Sequence, residues 1–138
     1  MEKLLSEAKT ICILGHTRPD GDCLGSTLGW QNYLRARFPE KEVTVFLMEA
    51  NEKFAYLPGF TEIRHDSPKE EHDLALICDC GSYDRLGEWQ RMRRNATLSI
   101  IILLRAEKIF PAIRFFRRRP VLVKSVLTSW IPAILPKR

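Results

Sequence analysis

The chain has 138 residues, 45% of them hydrophobic and 28% charged, a length that suits one small domain or part of a larger one and excludes several full-size domains. Its formal charge of +5 conceals a switch: residues 1–90 carry 10 Lys+Arg against 16 Asp+Glu, and residues 91–138 carry 12 against a single Glu. Met1–Lys9 is charged and amphipathic, unlike a secretory signal, and Cys12, Cys23, Cys78 and Cys80 read as reduced thiols of a cytoplasmic protein.

In chain order, Glu2–Ala8 reads as a short helix. Thr10–Leu14 is continuously apolar, as a strand buried on both faces should be. Asp22 is expected to cap a helix over about Cys23–Arg37, with Leu24, Leu28, Gln31 or Asn32, and Leu34 turning over its length. Gly25 and Gly29 are poor helix formers, expected to let that helix approach the sheet or a bound phosphate closely. Val43–Met48 is a second strand, and Phe54–Leu57 a helical turn stopped by Pro58-Gly59. Asp73–Cys78 is a third strand and Tyr83–Arg94 a further helix. Strands alternating with helices predict an α/β fold, a doubly wound parallel sheet.

The segment Gly15-His16-Thr17-Arg18-Pro19-Asp20-Gly21-Asp22-Cys23-Leu24-Gly25-Ser26 follows the first strand directly. Open α/β sheets bind ligands at the carboxyl ends of their strands. Pro19-Asp20-Gly21-Asp22 is good turn chemistry by itself, but a turn does not require a histidine in register with two aspartates. Imidazole with carboxylate suits manganese, iron or zinc; carboxylates with water lean towards magnesium or manganese. Asp79 ends its own strand as His16 follows its own, so His16, Asp20, Asp22 and Asp79 are expected to converge on one metal site at one sheet edge. Arg85 is expected either to orient Asp79 or to touch a phosphate, and Asp84 to cap a helix or pair with Arg85. His65 and His72 read as solvated surface residues. A zinc site from Cys12, Cys78 and Cys80 is disfavoured, because Cys-x-Cys is not a usual structural zinc spacing.

His-x-x-Pro-Asp-Gly-Asp-x-x-Gly-Ser resembles the first motif of the DHH phosphoesterases. Leu74-Ala75-Leu76-Ile77-Cys78-Asp79-Cys80-Gly81-Ser82-Tyr83-Asp84-Arg85-Leu86-Gly87 resembles their second. The two blocks cover about the first ninety residues, and the nearest subfamily is the bacterial bifunctional oligoribonuclease/phosphoadenosine phosphate phosphatase type. The Asp-His-His triplet that names the family is absent. The resemblance implies a two-manganese centre held by His16, Asp20, Asp22 and Asp79, with Asp22 and Asp79 at its shared, catalytic part; Arg85 is the candidate substrate-binding residue if it touches the phosphate rather than orienting Asp79. It implies a short RNA or nucleotide as partner, not a membrane. Within the family the alternative is a pyrophosphatase or exopolyphosphatase. The alternative of another class is a non-catalytic protein that binds RNA or membrane through its basic tail.

Residues 1–95 are therefore expected to be the amino-terminal part of the phosphoesterase domain, and residues 96–138 an atypical basic tail. Leu98-Ser99-Ile100-Ile101-Ile102-Leu103-Leu104 stands where a strand ending in Asp-His-His is due. If each codon borrows the third base of the one before it, Leu98–Ile102 can read Ile-Asp-His-His. Phe116–Ser125 can likewise read Pro-Glu-Ala-Ser-Ser-Thr-Cys-Glu-Val, which resembles the family's downstream sequence. A single-base frameshift between about Gln90 and Leu98 explains the charge switch without a function. Ile100–Leu104 is still expected to join the sheet as a strand, whereas Phe115, Phe116, Trp130 and Ile131 are expected to find no consistent buried face.

Overall fold

The computed structural model describes residues 2–66, 71–105 and 108–117, with residues 98 and 100–117 described through their backbone pairing. The strands are β1 (Thr10–Leu14), β2 (Glu42–Phe46), β3 (Leu74–Cys78), β4 (Leu98–Arg105) and β5 (Lys108–Arg117). They form one sheet in the order β2-β1-β3-β4-β5. The first four run parallel, and β5 pairs antiparallel with β4. This is the α/β parallel architecture that the alternation of strands and helices predicts.

The apolar continuity of β1 and β3 has its cause in the two-sided burial of the sheet. Side chains alternate between two cores. Ile11, Ile13, Val43, Val45, Leu74, Leu76 and Cys78 face the first core, closed by Leu5 of α1 (Glu2–Glu7) and by Leu24, Leu28 and Leu34 of α2 (Gly21–Arg37). Cys12, Leu14, Phe46, Ala75 and Ile77 face the second, closed by Leu86, Trp89 and Met92.

Several local expectations need correction. α2 begins at Gly21 and its cap is Asp20, not Asp22. A helix takes its cap from the residue just before it, and the Asp20 carboxylate reaches the free backbone N–H groups of the first turn. Gly25 and Gly29 do not face the sheet; both are exposed, and a Cβ on either would meet nothing within 4 Å. The segment after β2 forms 3-10 turns over Glu52–Phe54 and Phe60–Glu62. Tyr83–Arg94 is not one helix: a 3-10 stretch, Tyr83–Trp89, breaks at Gly87 before α3 (Gln90–Asn95). Asp84 is exposed, with Ser82 in the cap position. His72 is half-buried rather than solvated, its ring edge-on to Phe46 at 5.8 Å, whereas His65 is exposed as expected, with Nδ1 2.9 Å from the Leu47 carbonyl.

The residues of the basic tail divide. Leu98–Arg105 joins the sheet beside β3, as branched apolar residues favour. β5 was not among the sequence expectations. The exposure expected of Phe115, Phe116, Trp130 and Ile131 falls on side chains outside the described residues.

Candidate metal centre

The register of β1 against β3 takes the first step in building the site. Leu14 pairs with Ile77, and His16 and Asp79 each follow two residues later, so both emerge together at the carboxyl edge of the sheet. His16 is buried at 2% exposure. Its Nε2 lies 3.4 Å from Asp79 Oδ2 and 3.8 Å from Asp20 Oδ1. One ligand atom from each of His16, Asp20 and Asp79 falls within 4.8 Å of the others. Two ligands at about 2.0–2.2 Å from one ion and roughly a right to tetrahedral angle apart stand about 3.0–3.5 Å from each other. The His16–Asp79 pair already has that spacing. His16 Nε2 is buried without a hydrogen bond, so the residues present fit a divalent cation.

Each side chain is held by its own local structure. Asp20 Oδ1 accepts hydrogen bonds from the backbone N–H groups of Asp22 at 3.1 Å and Cys23 at 3.0 Å. The Cys23 N–H chiefly holds the Asp20 carboxyl below its ordinary range, helped by the charges of His16 and Arg85. Asp79 sits at the bend after β3 with φ of 49°, a left-handed conformation that aspartate tolerates better than most side chains. Its carboxyl is pushed up, first by burial and then by the negative charge of Asp22, with His16 opposing. Asp22 itself is exposed on the first turn of α2 and stands outside the group of three, near enough for its charge to act on Asp79.

Arg85 lies on the 3-10 stretch that follows Asp79, exposed, with its charge acting on Asp20. The segment is anchored beneath it by Leu86, fully buried in the second core. Gly15 is a support that was not among the sequence expectations. A Cβ there would stand 2.4 Å from Cys23 Sγ and 2.6 Å from Leu47 Cδ2, so only glycine lets the His16 loop lie against α2. Its position one residue before the histidine was the signal. Cys12 and Cys80 pack in the second core and Cys78 in the first. Thiols on opposite faces of a sheet cannot share a zinc ion. Burial pushes the Cys12 and Cys23 thiols up to about 12, which keeps them neutral. Among the described residues, no helix is long and apolar enough to cross a membrane.

The sequence profile of the DHH family, N-terminal domain, matches residues 10–103, a span that contains both candidate ligand loops. The chain belongs to the DHH family. It is 32% identical over 97 residues to the bifunctional oligoribonuclease and PAP phosphatase NrnA of Bacillus subtilis, covering 70% of this chain and 29% of that protein. It is 28% identical over 91 residues to the protein of the same name from Mycoplasma genitalium, covering 66% of this chain and 28% of that one. The chain thus spans under a third of the length of the curated relatives it matches. Among solved structures, an exopolyphosphatase-related protein from Bacteroides fragilis is similar in fold, with a TM-score of 0.66 and 25% identity. That likeness covers 80% of this chain and 34% of the other. The DHH family is metal-dependent, and among the described residues His16, Asp20 and Asp79 stand together.

Proposed function

We propose that the chain carries the amino-terminal part of a manganese-dependent phosphoesterase centre acting on short oligoribonucleotides or on the 3′-phosphate of phosphoadenosine phosphate. The observation that carries this reading is the convergence of His16, Asp20 and Asp79 at the carboxyl edge of the sheet. The names of the Bacillus and Mycoplasma relatives supply the substrate class. Bound divalent ions supply charge neutralisation at the phosphoryl oxygens and a hydroxide near neutral pH. His16, Asp20, Asp22 and Asp79 would hold them, with Asp22 and Asp79 at the shared part. Arg85, exposed and near enough for its charge to act on Asp20, binds and orients the anionic phosphate. The site is one for a cytoplasmic enzyme working on a nucleotide or short RNA, without a membrane. The likeness to an exopolyphosphatase-related protein favours a second reading within the family, a pyrophosphatase or exopolyphosphatase.

We further infer that residues 96–138 are out-of-frame translation rather than a basic binding tail, and that residues 1–95 are the authentic part of the domain. The charge switch and the regrouped codons support this. So does the position of β4: Ile102 pairs with Cys78, one residue before Asp79, so ligands at that end of β4 would stand beside Asp79. The test is to resequence the gene across codons 85–100, restore the frame, and assay both proteins with manganese on a phosphodiester reporter, phosphoadenosine phosphate and polyphosphate. The 138-residue chain should show little turnover, and the restored protein turnover that Asp22→Ala abolishes. Turnover by the 138-residue chain itself, abolished by Asp22→Ala, would overturn the need for a third motif. An unbroken frame, with salt-dependent RNA binding through the tail, would return the tail to a functional role.

A further inference from the structure

The loops after β1 and β3 also touch at a place outside the ligand group. Thr17, directly after His16, donates its backbone N–H to the Arg85 carbonyl at 2.8 Å. Gly87, on the same stretch as Arg85, lies against the Thr17 side chain: a Cβ at Gly87 would stand 2.5 Å from Thr17 Cγ2. The backbone of Gly87, with φ of 53° and ψ of −125°, is one that side chains rarely adopt. Leu86, between the two contacts, is fully buried in the second core and fixes the stretch to the body of the domain. One side of the contact is therefore rigid, and the other is a loop carrying His16 and Asp20.

We propose that Thr17 and Gly87 form a positioning clamp that sets the distance between the His16-bearing loop and the Asp79-bearing loop, and hence the spacing of the metal ligands. The proposal rests on the metal-centre reading above. Carbon atoms in ordinary contact stand about 3.5–4.0 Å apart, so a methyl at position 87 would drive the loops roughly 1 Å apart. That displacement is a large fraction of the 3.4 Å between His16 Nε2 and Asp79 Oδ2. Thr17 and Gly87 act through the position of His16.

The test is a calorimetric titration of the 138-residue chain with manganese alone, beside metal-free thermal unfolding of the same samples. Gly87→Ala should weaken manganese binding about tenfold, as the loss of supporting groups around a metal does. Asp84→Ala, exposed on the same stretch, should leave binding unchanged. Adding Thr17→Ala to Gly87→Ala removes Cγ2 and leaves Thr17 Cβ at 3.9 Å, an ordinary contact. It should recover about threefold of the lost affinity, the remainder staying with the strained backbone at position 87. A purely structural role would lower the unfolding temperature and leave the affinity of the folded protein unchanged, and that result overturns the clamp. So does a loss that Thr17→Ala does not relieve at all. If the unaltered chain binds no manganese, the metal-centre reading falls and the clamp with it. If it binds manganese and Gly87→Ala binds as well, the clamp alone falls.

Discussion

Asp73 and Thr10 hold each other reciprocally at the amino edge of the sheet. Asp73 Oδ2 accepts the Thr10 backbone N–H at 3.0 Å, and Thr10 Oγ1 accepts the Asp73 backbone N–H at 3.0 Å. The same carboxylate takes the Lys9 N–H at 2.8 Å. These bonds fix the start of β3 against the start of β1. The register they fix is the one that delivers His16 and Asp79 side by side at the opposite edge.

Those backbone donors, Thr10 first and then Lys9, hold the Asp73 carboxyl below its ordinary value. A depressed carboxylate stabilises the fold above the unfolded value, about 3.9, and the contribution is lost as pH falls towards the folded value. Asp73→Asn should therefore destabilise the chain at pH 7 and matter progressively less below about pH 4. Because the group is exposed, the effect at neutral pH should be less than about 1 kcal/mol. Urea unfolding at both pH values checks this, and an equal deficit at both would show that the charge is irrelevant.

Asp79 keeps a left-handed backbone while offering a carboxylate to the site. Glycine takes that conformation freely, whereas alanine pays about 1 kcal/mol for it. Asp79→Gly should therefore be more stable than Asp79→Ala by about 1 kcal/mol in urea unfolding, although both lose the ligand. Equal stabilities would mean that position 79 relaxes once its carboxylate is gone.

Gln31 is fully buried on α2 and neither Nε2 nor Oε1 meets a hydrogen-bond partner among the described residues. An unsatisfied buried amide costs about 1–3 kcal/mol. Gln31→Met keeps the length of the side chain and removes the polar atoms. It should raise stability by about 1 kcal/mol, read as a higher urea midpoint at unchanged slope. A lower midpoint would show that the amide is satisfied in solution.

Arg85 should act on binding more than on chemistry. In a frame-restored, active protein, Arg85→Ala should raise KM for an anionic substrate about tenfold and leave kcat nearly unchanged, as the loss of uniform binding does. Steady-state kinetics on phosphoadenosine phosphate separate the two. A fall in kcat at constant KM would place the guanidinium at the reacting phosphate instead.

The sequence by itself determined β1 to β4 and the residue types that follow β1 and β3. Residues 11–14 and Leu74–Cys78 are legible because the positions of a strand buried on both faces are apolar. The grouping of His16, Asp20 and Asp79 is legible because a turn alone does not require a histidine in register with aspartates after two adjacent strands. Both signals lie within a few consecutive residues. Tertiary structure decided what depends on distance between segments. It made Asp20 both helix cap and candidate ligand, left Asp22 outside the group of three, turned Gly25 and Gly29 to solvent, and put Cys78 on the face opposite Cys12 and Cys80. It also brought Gly87 against Thr17, a contact for which neither segment carries a local signal. Local patterns report whether a residue is buried or bends the chain. Which groups then meet follows from strand register and sheet twist, and those are set by pairing between segments far apart in the chain.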